Sequence, residues 1–359
     1  MAVRSLAVFP AYRDNPYLNL MLLAPRARGW NVLESLRLEQ LEQHLGRLGD
    51  GDVFHMHWTA PIVQRADTLA EATERLERFR HAVDDARSRG AGLVWTIHNV
   101  LPHDARHVAL ELELNQWLAE SADVIHVLNA ATASVTEQHY VLDPAKVVHI
   151  PHPSYQGVYP ASSSRAVARA SFGLEDDRHA VLFFGQIRPY KGLDVLIEAV
   201  SRVPAHARPV LLLAGRTSDE DRAALDDLIG DDVRTIRSYD YVPDSDVQRW
   251  FRAADLAVFP YRQVLNSGSI HLAASLGVPA VIPDEPHLRA EFDGEDWLRW
   301  FDTREPVSSL AAIVEADAES PASGAAAEAF SRRLAPFALS RRYADLLDSI
   351  RTAAGAGAA

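Results

Sequence analysis

Arg188 and Lys191 follow an apolar run, Val181 to Phe184, that stops at Gly185. Beyond them Leu193, Leu196, Ile197 and Val200 recur at i, i+3, i+4 and i+7. The pattern predicts a buried strand, a tight turn and an amphipathic helix. It sets two cations where the N–H groups and positive end of a helix already favour an anion. The chain has 36 Lys+Arg, and lysine stands only at Lys146 and Lys191. In so arginine-rich a composition, a lysine in this loop suggests phosphate, which a compact ammonium meets as a point charge. A solvated cation capping a turn is the plain alternative.

A second anion-ready start lies in FPYRQVLNSGSIHLAASLGVP. A strand ends near Pro260, and Ser267-Gly268-Ser269 opens a helix of small residues, Ala273, Ala274 and Gly277. Such a start leaves backbone donors for a diphosphate, unless Asn266 or Ser267 simply caps the helix. Two such starts in one half of the chain point to a nucleotide diphosphate. Gly185, Gln186, Gly215, Arg216, Tyr241, Val242, Asn266, Ser267, Gly268 and Ser269 are the candidates to bind it.

The first half offers histidines at its strand ends: His55, His57, His98 and His103, with Trp58, Asn99 and Asp104. His55 and His57 share a strand face, but no carboxylate at ligand spacing joins them, so a metal site is not expected. His98 leaves its strand as WTIHNVLPHD. There it would bond a sugar hydroxyl or act as acid or base, or else be satisfied by loop backbone. Trp58 offers a face for stacking a sugar ring, or belongs to the core. Asn15, His57, Trp58, His103 and Asp104 are the candidate acceptor-binding residues. Asn15 also reads as an N-cap before Pro16, and Asp104 as an N-cap of the next helix.

Asp244-Ser-Asp246 and Asp50-Gly-Asp52 match the Asp-x-Asp metal motif in form only: the first reads as a helix N-cap, the second as a turn. There is no phosphate-binding P-loop, no Gly-x-Gly-x-x-Gly at the first strand and no Gly-x-Ser-x-Gly elbow, which argues against kinase, dehydrogenase and hydrolase.

The elements that must position these residues alternate along the chain. Strands are expected at Leu6 to Phe9, Val53 to His57, Leu93 to Ile97, Val124 to Val127 and Val147 to Ile150. The second half repeats the rhythm at Val181 to Phe184, Val210 to Leu213, Val233 to Ile236, Leu256 to Phe259 and Ala280 to Ile282. Helical patterns lie between them, among them Leu69 to Val83 and the helix after Asp244. This alternation predicts parallel sheets covered by helices on both faces. The stretch from Pro151 to about Arg178, with its prolines and Ser162 to Ser164, is the expected boundary. The domains are therefore 1–160 and 161–335, with 336–359 a final helix and an Ala/Gly tail that frays from Thr352. Two doubly wound domains bind ligands at the carboxyl ends of their strands, in a crevice between them.

Composition agrees. A chain of 359 residues suggests about two domains, and 48% hydrophobic with 24% charged residues is ordinary globular make-up. Zero cysteines remove thiol catalysis and Cys-type metal sites. The net charge of -13 argues against nucleic acid. No apolar run approaches the roughly 20 residues of a membrane span, and no signal-peptide layout precedes the first strand. A cytoplasmic protein is expected, with peripheral contact at the inner membrane face left open.

FFGQIRPYKGLDVLIEAV, LLLAGR, YVPDSDVQRWFRAADLAVFPYR and SGSIHLAASLGVPAVI, in that order, resemble the GT-B glycosyltransferases of the large family-four-like group. WTIHNVLPHD adds a match near that family's catalytic histidine segment. NSGS and IRPYKG resemble a bacterial polysaccharide- and glycolipid-assembly subgroup often labelled β-mannosyltransferase. The resemblance implies transfer of a hexose from a nucleotide-sugar (GDP-mannose or a UDP- or dTDP-hexose), bound mainly by the second domain. The acceptor, held by the first, would be a glycolipid, a polysaccharide precursor or a small molecule. It implies no cofactor and no metal, the diphosphate being met by Arg188, Lys191 and the helix at Ser267. His98, Lys191 and Arg188 are the expected catalytic residues. Two departures stand out: Gln186 occupies the place of the family's arginine, and the family's glutamate pair would fall at Val264 and Leu272. A nucleotide-sugar 2-epimerase of the same fold and a non-catalytic two-lobed binding protein are the alternatives.

Overall fold

The computed structural model describes residues 3–12 and 15–350; the tail from Thr352 lies outside them. The chain divides into two compact units, residues 1–153 with 336–359, and residues 154–335. The division falls inside the Pro- and Ser-rich stretch.

Among the described residues each unit is built on one six-stranded sheet. The first contains β1 (Ser5–Phe9), β2 (Asn31–Glu34), β3 (Val53–Met56), β4 (Gly92–Ile97), β5 (Val124–Val127) and β6 (Val147–His149), in the order β2-β1-β3-β4-β5-β6. The second contains β7 (Ala180–Phe184), β8 (Val210–Ala214), β9 (Thr235–Ser238), β10 (Leu256–Val258), β11 (Ala280–Pro283) and β12 (Leu298–Phe301), in the order β12-β11-β10-β7-β8-β9. Every pairing is parallel. Helices cross between the strands and cover the sheets, which is why the central strands β3, β4 and β8 are buried along their whole length.

Two edge strands, β2 and β12, have no counterpart in the sequence reading, and β9 starts at Thr235 rather than Val233. Edge strands need only one buried face, so β2 is half-exposed and its residues carry no continuous apolar run. Leu38, Leu41, Leu45 and Leu48 recur at helical spacing, and the helix they mark, Leu38–Leu45, ends before the last of them.

In the second unit Val181, Phe183, Leu211, Leu213 and Val258 of the strands pack with Leu193, Leu196, Ile197 and Val200 on one sheet face. Those four residues are the i, i+3, i+4, i+7 stripe of helix Leu193–Arg202, whose burial holds the preceding loop at the end of β7. In the first unit the C-terminal helix, Pro336–Ser349, packs on helices Pro16–Met21 and Leu23–Ala27. Ser340 Oγ accepts from Ala24 N and donates to Met21 O, both at 2.8 Å.

Candidate functional site

The end of β7 runs into a 3₁₀ turn, Pro189–Lys191, and then into helix Leu193–Arg202 through Gly192. Gly192 has φ +66°, and a Cβ there would lie 2.1 Å from Pro260 O, so only glycine lets this loop lie against the end of β10. Gly215, with φ +155°, approaches Gly185 as closely: a Cβ on it would lie 1.9 Å from Gly185 O. The crossed loops bring three groups together. A side chain on Gly185 would meet Ser269 Oγ at 3.2 Å and Lys191 Nζ at 3.3 Å, so the hydroxyl and the ammonium both sit over the Gly185 backbone.

Lys191 has no hydrogen bond or ion pair to its ammonium among the described residues, and its Nζ is 5.7 Å from the centre of the Tyr261 ring. Burial, and then the charge of Arg188, lower its pKa to about 8. Arg188 is exposed at the turn's start. With its amide oxygen turned toward that guanidinium, Gln186 accepts from Arg188 Nη2 at 2.9 Å and Nε at 3.3 Å. The residue standing in the family arginine's place therefore orients the arginine two positions on.

Helix Gly268–Ser275 begins at Ser267 in the N-cap position, yet the Ser267 side chain makes no capping bond. Ser267 Oγ instead contacts Tyr261 OH at 3.2 Å, and Ser269 bonds the same phenol. Burial raises Tyr261 to about 12, so the phenol stays protonated. Ser267 is therefore held by the phenol and does not cap the helix.

Arg262, seen in the sequence only as part of FPYR, ties this loop system together. Its Nη1 donates to Pro189 O at 2.7 Å and to Asp194 Oδ1 at 2.9 Å, its Nη2 bonds Asp194 Oδ2, and its backbone N donates to Tyr190 O. Of the other candidates, Gly215 is buried, Arg216 exposed, Val242 and Asn266 half-buried. Tyr241 is exposed and its hydroxyl donates to Asp244 Oδ1 at 3.1 Å. Asp244 and Asp246 lie in the first turn of helix Asp244–Ala253, whose N-cap is Pro243, so Asp244 is not the cap. Asp52 accepts from Ser5 N and Gly49 N, as a turn residue should.

In the first unit the ends of β3 and β4 gather the histidines. His57 Nδ1 lies 3.1 Å from His98 Nε2, and Trp58 stacks on His98 with centroids 4.0 Å apart and planes 15° off parallel. Behind them runs a buried chain of polar groups: Tyr343 OH to His55 Nδ1, His55 Nε2 to Thr96 Oγ1 at 2.6 Å, Thr96 Oγ1 to His126 Nδ1 at 2.9 Å, and His126 Nε2 to Ile150 O at 2.9 Å. Burial drives His55, His57 and His98 far below the usual histidine value, and takes His126 and His152 to about 4. All five rings are neutral at pH 7. Thr96, His126 and Tyr343 were not among the sequence candidates, because a residue deep in a strand or on a distant helix gives no local sign of its partner, and neither was His152 in the loop after β6.

Asn15 caps helix Pro16–Met21, accepting from Tyr17 N at 3.0 Å. His103 and Asp104 lie in the loop after β4, half-buried and exposed. Asp104 does not cap the following helix, which starts at Val108 with His107 as N-cap. Gln64 instead holds the segment just before that helix, its Oε1 accepting from Arg106 N and His107 N at 2.7 and 3.0 Å. Among the described residues no three His, Cys, Asp or Glu side chains are arranged to hold a metal, and no helix is long and apolar enough to cross a membrane.

Residues 178–316 match the family model described as Glycosyl transferases group 1. A GDP-mannose:glycolipid 4-beta-D-mannosyltransferase of Xanthomonas campestris pv. campestris is 26% identical over 253 residues, 69% of this chain and 66% of that enzyme, so the alignment spans just under two thirds of the relative's own length. A D-inositol 3-phosphate glycosyltransferase of Corynebacterium efficiens is 26% identical over 330 residues, 78% of this chain and 72% of that one. Anabaena HepE, solved in complex with UDP-glucose, superposes with a TM-score of 0.72 at 16% identity, covering 97% of this chain and all of its own. The fold is that of the GT-B glycosyltransferases.

Proposed function

Because this chain carries a group 1 glycosyl transferase domain in a GT-B fold, we propose that it transfers a hexose from a nucleoside-diphosphate sugar to a hydroxyl of a glycolipid or polysaccharide precursor. GDP-mannose is the first donor to try, after the name of the Xanthomonas relative, and UDP-glucose the second, after the HepE complex. The observation that carries the reading is the Lys191 ammonium and Ser269 hydroxyl over the Gly185 backbone, beside the start of helix Gly268–Ser275.

In this reading the diphosphate occupies that position. Lys191 and the first-turn N–H groups of helix Gly268–Ser275 meet the charge that grows on it as the sugar leaves. Arg188, oriented by Gln186, supplies a second, solvent-facing cation. Arg262 holds the loop against Asp194 and so keeps the ammonium placed before the donor arrives. In this reading these cations do the work a divalent ion does in other transferases, so turnover should persist in EDTA. On the acceptor side, neutral His98 takes the hydroxyl proton, a task that a protonated imidazole could not perform. A glycolipid acceptor would bring the chain to a membrane surface.

The experiment is incubation with GDP-, UDP- and dTDP-sugars and lipid-linked acceptors, with and without EDTA, following release of the nucleoside diphosphate. Release with one donor, unaffected by EDTA, is the expected result. No release with any donor, together with no thermal shift on adding any nucleotide, would overturn the proposal.

A further inference from the structure

The first unit holds a cavity of about 40 Å³ at the ends of β3 and β4, walled by His57, Trp58, Thr59, Ile97, His98 and Asn115. One wall is unusual. Asn115, on helix Val108–Ser121, is only 2% exposed, its Nδ2 donates to Val100 O, and its Oδ1 has no partner among the described residues. One helical turn earlier Glu111 is fully buried. Its Oε2 accepts from Gln64 Nε2 at 2.7 Å and its carboxyl bonds Thr59, while Oε1 has no partner among the described residues. Buried polar atoms almost always find a partner, and each that does not calls for one. Of these two acceptors Asn115 lines the cavity, and its Oδ1 leaves that wall short of a hydrogen-bond donor.

We propose that this cavity is a subsite for one neutral, hydroxyl-bearing substituent of the acceptor sugar, such as a hydroxymethyl group, which donates to Asn115 Oδ1. The inference rests on the acceptor being held by the first unit, as proposed above. An amide oxygen accepts and cannot donate, so a phosphate, carboxylate or keto group gains nothing there. The volume admits a hydroxymethyl group, or about one or two waters. The stacked Trp58 and His98 rings form the adjoining wall, against which the C–H face of a pyranose can lie while its hydroxyl reaches inward. Specificity built on a buried acceptor is strong, because an analogue without the hydroxyl leaves that acceptor unpaired.

The test titrates the full chain with methyl glucoside, mannoside and galactoside, and with the 6-deoxy and 6-phosphate form of each, reading ligand-observed NMR. GDP and UDP are titrated in parallel. At least one parent glycoside should bind, and its 6-deoxy and 6-phosphate forms about tenfold more weakly or not at all. Asn115→Leu, which keeps the shape without the amide, should abolish that preference and leave nucleotide binding unchanged. If this variant does not fold, Asn115→Ala should do the same. Nucleotide binding reports on the transferase reading, so failure of the two is distinguishable. Absence of glycoside binding, equal binding of parent and 6-deoxy forms, or a preference that survives in both variants would overturn the subsite. So would a crystal structure in which waters on Asn115 stay in place with the glycoside bound.

Discussion

His57 Nδ1 and His98 Nε2 are 3.1 Å apart, and both rings are held neutral by burial. One nitrogen of the pair must donate and the other accept, so each ring sets the tautomer of its neighbour. If His98 Nε2 carries the proton, its Nδ1 presents a lone pair, the form a general base needs. His57→Phe should therefore lower kcat by about 10- to 100-fold and leave the donor KM close to its original value, while His98→Ala should cost about 100- to 10,000-fold. Steady-state kinetics of both variants decides it. A His57→Phe enzyme with full kcat would show that the contact is structural.

The same burial has a consequence for stability. His126 and His152 have folded pKa values of about 4, against about 6.5 in an unfolded chain. Between these limits the unfolded state binds more protons, so stability falls as pH falls. The contribution is complete above pH 6.5 and is lost progressively down to about pH 4, at up to about 3 kcal/mol for each ring. Urea unfolding at pH 7.5, 6.5, 5.5 and 4.5 should show a midpoint that drops steadily below 6.5. A midpoint constant to pH 5 would mean that the rings accept protons without unfolding.

Much of the architecture was legible because strand and helix periods are local. The stripe from Leu193 to Val200 and the run from Val181 to Phe184 each carry their own burial pattern. Gly185, Lys191 and Ser269 could be picked out singly, as residues at strand ends. What the sequence did not carry was their meeting, because the close approach of Gly192 to Pro260 and of Gly215 to Gly185 arises only when the loops cross. Gln186 illustrates the same limit: its part becomes visible once its amide is seen against Arg188. The polar chain from Tyr343 through His55 to His126 has no local signature, its first bond alone bridging 288 positions. Edge strand β2 eluded the sequence for the opposite reason, since its half-exposed residues carry too little apolar signal.

Arg169 supports a prediction about the second unit alone. Its side chain is fully buried, with Nη1 donating to Ala253 O at 2.8 Å and Nη2 to Glu175 O at 2.6 Å and to Arg178 O. It also pairs at 3.4 Å with Asp255, which itself accepts from Ala180 N at the start of β7. Arg169→Leu removes a fork that joins four chain segments and leaves their carbonyls buried and unpaired. A loss of about 3–5 kcal/mol is expected in denaturant unfolding. Arg169→Lys should recover little, since one ammonium cannot span the same carbonyls. A loss below about 1 kcal/mol would mean that water replaces the guanidinium.

Lys191 yields the sharpest pH test of the donor site. Its ammonium is half-buried, and burial with the neighbouring Arg188 charge brings its pKa to about 8. The protonated form is the one that meets a diphosphate, so kcat/KM for the donor should be level below pH 8 and fall about tenfold per unit above it. The limb belongs to the free enzyme, because a bound diphosphate favours the charged form and raises the pKa. For that reason kcat should hold to higher pH than kcat/KM. Lys191→Arg keeps a charge at every accessible pH and should abolish the alkaline limb, though its planar head will cost rate. Lys191→Ala should lose about 100- to 1,000-fold in kcat/KM with no limb at all. An unchanged limb near pH 8 in the arginine variant would assign the titration to another group.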